Sequence, residues 1–281
     1  MEIIKSPGEM QERSLQLKRQ GKKIGLVPTM GFFHEGHLSL MRIARERCDA
    51  VVVSNFVNPT QFAPTEDLDA YPRDFERDCR LAEKIPVDIM FNPEKQNMYP
   101  EGFRTHVEVE GWGKKLCGAS RPIHFRGVTT VVLKLFNLVM PDAAVFGWKD
   151  AQQFLILKRM VKDLDLPIEM IGGEIVREEG GLAMSSRNKY LSPEERREAL
   201  VLSRSLGEAR EMIEKQGIKD CGILKNHIRK QIDKTLHGKT DYVEIISLET
   251  LEPLEEVKKG DTLIALAAFF GRARLIDNVR C

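Results

Sequence analysis

Short apolar runs alternating with helical periodicity over residues 23–177 constrain this chain more than any other feature. Lys23-Ile24-Gly25-Leu26-Val27-Pro28, Ala50 to Val57, Val87 to Phe91, Ala143 to Gly147 and Ile168 to Arg177 read as buried strands. Between them lie amphipathic segments: Leu38, Met41, Ala44 and Cys48 recur at helical spacing, and Pro72–Lys84, 125–140 and 150–164 are further expected helices. Pro72 suits a first helical turn, and Pro141 stops the helix before it. Thr105 to Glu110 alternates polar and apolar residues as an edge strand would. Strands alternating with helices imply a doubly wound parallel sheet with right-handed crossovers.

The last third differs in style. Ser192-Pro193-Glu194-Glu195 is a capping box, predicting a helix to about Gln216, and a second helix spans roughly 219–236. Tyr242 to Leu248, Thr262 to Phe270 and Arg274 to Asp277 read as strands. The expected fold is therefore α/β, with a domain at 1–177 and a smaller C-terminal α+β domain at 178–281, divided near Glu178-Glu179-Gly180-Gly181.

Composition narrows the function classes. A formal net charge of +1 over 281 residues argues against a broad nucleic-acid face. No apolar run reaches membrane-spanning length, because Lys134 and Asn137 interrupt 128–140, and Met1-Glu2-Ile3-Ile4-Lys5 lacks a signal-peptide core. Five cysteines without a close pair disfavour a disulfide framework or a zinc site and point to a reducing cytoplasm.

Ligands of such sheets bind beyond the carboxyl ends of the strands. That rule selects four loops. In Met30-Gly31-Phe32-Phe33-His34-Glu35-Gly36-His37, two histidines three apart open a helix directly after a strand. A glycine-containing turn there lets backbone amides approach phosphate, and imidazoles can donate to phosphoryl oxygens. In Phe146-Gly147-Trp148-Lys149-Asp150, a strand again ends in glycine, Asp150 is a plausible N-cap, and Lys149 is a point charge suited to phosphate. Gln153 follows one helical turn on. Ala183-Met184-Ser185-Ser186-Arg187-Asn188 offers two hydroxyls and a guanidinium to an oxyanion. Phe56-Val57-Asn58-Pro59-Thr60-Gln61-Phe62 presents Gln61 to a polar organic substrate, or is simply a turn at Asn58-Pro59. Glu66-Asp67-Leu68-Asp69 reads as solvated surface, and His106, His124 and His237 as structural histidines. There is no P-loop and no dinucleotide glycine fingerprint. A histidine pair with a later Ser-Arg loop is suited to adenylyl transfer, in which an acid attacks the α-phosphate of ATP.

With these residues in view, the chain resembles the pantoate–β-alanine ligase family of the HIGH-motif nucleotidyltransferases. The resemblance is carried by Pro28-Thr29-Met30-Gly31 through His37, Asn58-Pro59-Thr60-Gln61-Phe62, Phe146 to Asp150, and Met184-Ser185-Ser186-Arg187-Asn188. It implies a Rossmann-like nucleotide- and pantoate-binding domain and a mobile C-terminal lid. The implied reaction is ATP-dependent ligation of pantoate and β-alanine to pantothenate through pantoyl adenylate, releasing pyrophosphate and AMP, in coenzyme A biosynthesis. By the same resemblance, residues 30–37 line the ATP site, with His34 and His37 on the phosphates and His37 as proton donor. Gly147, Trp148, Lys149 and Asp150 hold the nucleotide, Val176 touches adenine through its backbone, and Met184 to Arg187 close over the triphosphate. Gln61 and Gln153 hydrogen-bond pantoate. Mg²⁺ accompanies ATP with protein ligands unassigned, Asp74 and Asp78 being candidates, and the enzyme is a homodimer. Phe32-Phe33 and Trp148 depart from the family's commoner residues and read as packing variation. Another nucleotidyltransferase, or a nucleotide-binding regulator without chemistry, is the alternative on the loops alone.

Overall fold

Strands β1 (Glu2–Ile4), β2 (Ile24–Thr29), β3 (Ala50–Asn55), β4 (Ile89–Phe91), β5 (Ala143–Gly147) and β6 (Glu169–Gly173) form one sheet in the order β1-β4-β3-β2-β5-β6. Every pairing in it is parallel. The structure, a computed structural model, describes all residues except Thr65 and Asp67. The chain divides into two compact units, one comprising Met1–Trp148 with Gln152–Glu174, the other Lys149–Ala151 with Ile175–Cys281.

In the first unit the sheet is covered on both faces, which explains why its strands read as near-continuous apolar runs. Side chains alternate across the strand. Leu26 and Val52 therefore enter one core with Phe136, Val139 and Phe154, while Val27, Val51 and Val53 enter the other with Phe33, Met41 and Ala44. The helices, in chain order, are α1 (Pro7–Arg19), α2 (Glu35–Arg47), α3 (Phe75–Ala82), α4 (Lys95–Met98), α5 (Cys117–Ser120), α6 (His124–Val139) and α7 (Ala151–Asp163). Since β2 pairs with β3 on one side and β5 on the other, strand order reverses at β2, and the loops after β2 and β5 flank this switch point.

Several elements differ from the sequence reading. Thr105–Glu110 is not a strand; its alternation reflects Val107 and Val109 packing on the core while their neighbours face solvent. The segment is pinned to α6 by Thr130 Oγ1 accepting from the Val107 N–H at 3.0 Å and Thr129 Oγ1 donating to the Val107 carbonyl at 2.5 Å. Helix α3 starts at Phe75 rather than Pro72, because Asp74 is its N-cap and accepts from the Arg77 N–H at 3.0 Å. The sheet strand expected to run to Arg177 stops at Gly173. Short β1 completes the sheet edge against β4.

In the second unit, α8 (Pro193–Ala199), α9 (Val201–Gln216) and α10 (Cys221–Ile232) accompany an antiparallel sheet of β7 (Gly238–Ser247), β8 (Thr262–Phe270) and β9 (Ala273–Arg280). The Ser192/Glu195 capping box is formed, but the single helix expected from 192 to 216 is divided at Leu200. Leu206, Leu224, Ile228, Val243, Ile264 and Leu266 make the core of this unit.

Candidate active site

The turn after β2 is built by satisfying four successive backbone N–H groups with side chains. The Gly31 N–H donates to Thr29 Oγ1 at 3.2 Å, and those of Phe32 and Phe33 donate to the two carboxylate oxygens of Asp78 at 2.7 Å each. The His34 N–H then donates to His37 Nδ1 at 3.3 Å. Gly31 takes φ +82° and Phe32 φ +54°, the second a conformation that bulky residues rarely adopt. Phe33 is fully buried and anchors the turn in the core beneath α2, while the Arg77 guanidinium lies 5.1 Å from the centre of the Phe32 ring. The N–H groups of Gly31, Phe32 and Phe33 therefore have partners within the protein.

What the turn offers instead is imidazole. The rings of His34 and His37 lie 4.1 Å apart and tilted by 41°. Because His37 Nδ1 accepts a backbone proton, neutral His37 carries its own proton on Nε2, which makes that atom a donor. Glu35 is turned onto the outer face of α2, where it pairs with Arg42. That contact holds Arg42 above the usual guanidinium range, principally through the hydrogen bond to Glu35.

Asp78 is only 1% exposed, and it also accepts from Asn55 Nδ2 at 3.0 Å. Burial pushes its carboxyl above the ordinary carboxylate range against the opposing pull of the Phe33, Phe32 and Asn55 hydrogen bonds and Arg77. Neither acidic residue considered for metal fits that role, since Asp78 is engaged by three donors and Asp74 caps α3. Among the described residues no group of three or more His, Cys, Asp or Glu side chains is arranged to hold a metal ion. Asp67, in the acidic loop, lies outside the described residues.

Gln61 sits after β3 in a short 3-10 turn, Pro59–Gln61, and is buried. Its Oε1 accepts from Asn58 Nδ2 at 3.0 Å, which leaves the amide N–H groups as its outward functionality, with Nε2 3.2 Å from Met30 Sδ. Asn58 is itself fixed, donating to the Gly127 carbonyl at 3.1 Å and accepting from Tyr99 Oη at 2.8 Å. Gly127 lets this turn lie against α6: a Cβ there would come within 2.5 Å of the Thr60 carbonyl oxygen. His124 is not a solitary structural histidine, because its Nδ1 lies 3.0 Å from the Gln61 carbonyl and its Nε2 lies 3.3 Å from Arg121. Arg121 in turn pairs with Glu66 at 2.5 Å. The isolated reading of His124 missed this, since the Gln61 carbonyl comes from 63 residues away, although Arg121 is only three residues off.

On β5 and α7, Trp148 packs edge-on against Phe154 at 4.7 Å and fills the space left by Gly172, where a Cβ would meet its indole nitrogen at 2.3 Å. This is a packing role. Gln152 is tied down by Cys117, Trp112 and Lys115, whereas Gln153 is half-buried on the first turn of α7. Thus the first unit pairs Met30 with Gln61 and His34 with His37.

In the second unit, Lys149 Nζ lies 3.3 Å from Asp150 Oδ2, and the Lys149 carbonyl accepts from Asn278 Nδ2 at 3.1 Å. Val176 and Met184 are joined by a 2.9 Å backbone hydrogen bond. Ser185 caps the turn Ser186–Tyr190, accepting from the Arg187 N–H at 3.3 Å. The loop hangs on buried Asn188, which donates to the Ala183 carbonyl at 3.0 Å and to Glu178 at 2.6 Å; Arg196 pairs with the same glutamate. Arg177 makes a two-pronged contact with buried Asp277, at 2.6 and 3.0 Å. Of these framework residues Asn188 belongs to the quoted motif, whereas the Arg177–Asp277 pair gives no short sequence signal because its partners are 100 residues apart.

A family model described as pantoate–β-alanine ligase matches residues 2–280. A pantothenate synthetase of Sulfurihydrogenibium sp. (strain YO3AOP1) is 55% identical over 280 residues, covering 99% of each chain. The crystal structure of pantothenate synthetase from Thermus thermophilus superposes with a TM-score of 0.93 at 45% identity, covering 100% of this chain and 99% of that one. A pantoate–β-alanine ligase from Francisella tularensis, crystallised with β-γ ATP and β-alanine, gives a TM-score of 0.79 at 33% identity, covering 100% and 97%. By sequence along its length and by fold, this chain belongs to the pantoate–β-alanine ligase family.

Proposed function

We propose that the chain joins pantoate to β-alanine at the expense of ATP, in two balanced steps. A pantoate carboxylate oxygen attacks the α-phosphorus of ATP, the bond from that phosphorus to the bridging oxygen breaks, and pyrophosphate leaves. The neutral amine of β-alanine then attacks the acyl carbon of pantoyl adenylate. The acyl–oxygen bond breaks, AMP departs with that oxygen, and the amine loses a proton as the amide of pantothenate forms.

The observation that carries this reading is the 3.2 Å contact of Gln61 Nε2 with Met30 Sδ, Met30 standing at the head of the segment that leads into the histidine pair. The imidazoles and an amide suited to an organic oxygen thus follow the ends of adjacent strands β2 and β3. In the first step charge develops on phosphoryl oxygens, and a preorganised donor aimed there lowers the barrier. His37 supplies Nε2–H for this purpose, and His34 beside it binds the same triphosphate. Gln61, with Oε1 engaged by Asn58, donates N–H to pantoate, and Gln153 supplies a second amide. Lys149 and the Ser185-Ser186-Arg187 segment add hydroxyl donors and positive charge for the phosphates, with Gly147, Asp150, Val176 and Met184 around the nucleotide.

Mg²⁺ is taken as a companion of ATP, neutralising its phosphates, and no step is assigned to a resident ion. The enzyme is proposed to act as a cytoplasmic homodimer. The test is AMP formation assayed with each substrate omitted in turn. AMP should require pantoate, β-alanine and ATP together, and AMP release indifferent to β-alanine would sink the ligase reading.

A further inference from the structure

We propose that Asp78 is a positioning residue for adenylation, holding the histidine turn in its working conformation through the two backbone N–H groups that precede His34. The inference rests on the phosphate roles given above to His34 and His37.

The geometry is specific. One carboxylate, 1% exposed, uses one oxygen for the Phe33 N–H and the other for the Phe32 N–H, both at 2.7 Å. Hydrogen bonds to an ionised acceptor are roughly twice as strong as neutral ones. They are needed here, because Phe32 sits at φ +54°, a strained conformation that persists only where the surroundings enforce it. The next N–H in line, that of His34, goes to His37 Nδ1 and fixes the tautomer of the proposed donor. Asp78 therefore sits one peptide away from the contact that defines His37.

Asn55 completes the clamp. Its Nδ2 donates to Asp78 Oδ2 at 3.0 Å, orienting the carboxylate from the end of β3. Gly31 is required by the same packing, since a Cβ would lie 2.6 Å from Asn55 Oδ1 and 3.0 Å from Asp78 Oδ2. Burial of a carboxylate is costly, and its oxygens are engaged by the turn and Asn55 rather than by a second buried charge. Arg77 stands off at 3.8 Å, with its guanidinium directed over Phe32.

The deciding substitution is Asp78→Asn, which keeps the shape but turns an amide NH₂ toward one of the two N–H groups. Expected are a roughly 100-fold fall in kcat for pantoate-dependent pyrophosphate release and an apparent KM for pantoate within about twofold of wild type, the pattern of a misplaced catalytic group. Half-saturating Mg²⁺ should not move. The ¹⁵N spectrum of the His37 imidazole should shift from a single Nε2–H tautomer toward averaged values. A folded variant with wild-type kcat and an unchanged imidazole spectrum overturns the proposal. So does a variant whose kcat is restored by excess Mg²⁺, which would assign the carboxylate to the cation.

If Asp78→Asn does not fold, Asn55→Ala removes one donor from the same carboxylate and should lower kcat about tenfold by the same loosening. Wild-type kcat in that variant also overturns the proposal. Normal adenylation by His37→Ala would instead defeat the underlying histidine role, and the imidazole spectrum of Asp78→Asn would still decide whether Asp78 sets the turn.

Discussion

Two loops carry the proposed phosphate chemistry, and they are held by opposite means. The histidine turn is fastened from beneath, with Phe33 in the core, Asp78 buried, and four consecutive N–H groups satisfied by side chains. The serine–arginine loop is fastened from the side, through one buried asparagine and a Glu178–Arg196 pair that solvent reaches. A buried ionic clamp fixes one geometry, whereas a half-exposed polar tether permits adjustment. The difference suits the proposed division of labour, in which the histidines would meet charge developing at one phosphorus and the second loop would receive a ligand that must enter and leave.

The comparison breaks first if His37 does not carry transition-state charge. His37→Ala should cost about 3 kcal/mol in the adenylation barrier, a loss of roughly 10²-fold in kcat, with little change in thermal stability. Single-turnover pyrophosphate release measures this directly. Near-normal adenylation would reduce the histidine turn to a structural cap.

The next effect belongs to the second unit's framework. Arg177→Ala leaves Asp277, 1% exposed, without its guanidinium and should destabilise the fold by about 3 kcal/mol. Chemical denaturation reads this, and a loss under about 1 kcal/mol would mean that the Asn278 N–H, 2.8 Å from the same carboxylate, suffices alone. Asn188→Ala follows at about 2 kcal/mol, since it strips the Ala183 carbonyl and Glu178 of a donor. It should raise the apparent KM for ATP more than it lowers kcat. A kcat loss as deep as that of His37→Ala would erase the contrast between the two loops.

How much of this was legible in the sequence follows from range. Elements of the sheet were readable because β2, β3 and β5 are apolar throughout and their neighbouring helices are amphipathic, both local signals. The 3-residue β1 was not, because its pairing with β4 lies 87 positions along the chain (Ile89 against Glu2) and nothing local demands it. Thr105–Glu110 imitated a strand for a different reason, alternating because Val107 and Val109 pack on the core while their neighbours are exposed. The site divides in the same way. His34, His37 and Gln61 stood out as motifs, Asn58 with them, but Asp78 and Gly127 act across gaps of sequence that no pattern spans. Motif spacing picks out the groups proposed to touch substrate; Asp78 and Gly127, which fix the turns that carry them, emerge only in three dimensions.

The smallest expected effect sharpens the boundary of the histidine turn itself. Glu35 stands between the two histidines in sequence, and resemblance places it in the ATP site. Its side chain is nevertheless 45% exposed and paired with Arg42 seven residues along α2. A surface pair of this kind contributes at most about 1 kcal/mol and often nothing measurable. A carboxylate facing the triphosphate directly would also repel it, so losing the charge should not weaken ATP binding by direct contact. Glu35→Gln should therefore change stability by less than about 0.5 kcal/mol and leave kcat and the KM for ATP within experimental scatter. A marked rise in the KM for ATP would show that Glu35 leaves Arg42 to act on the nucleotide or its cation, extending the functional turn one residue beyond the imidazoles.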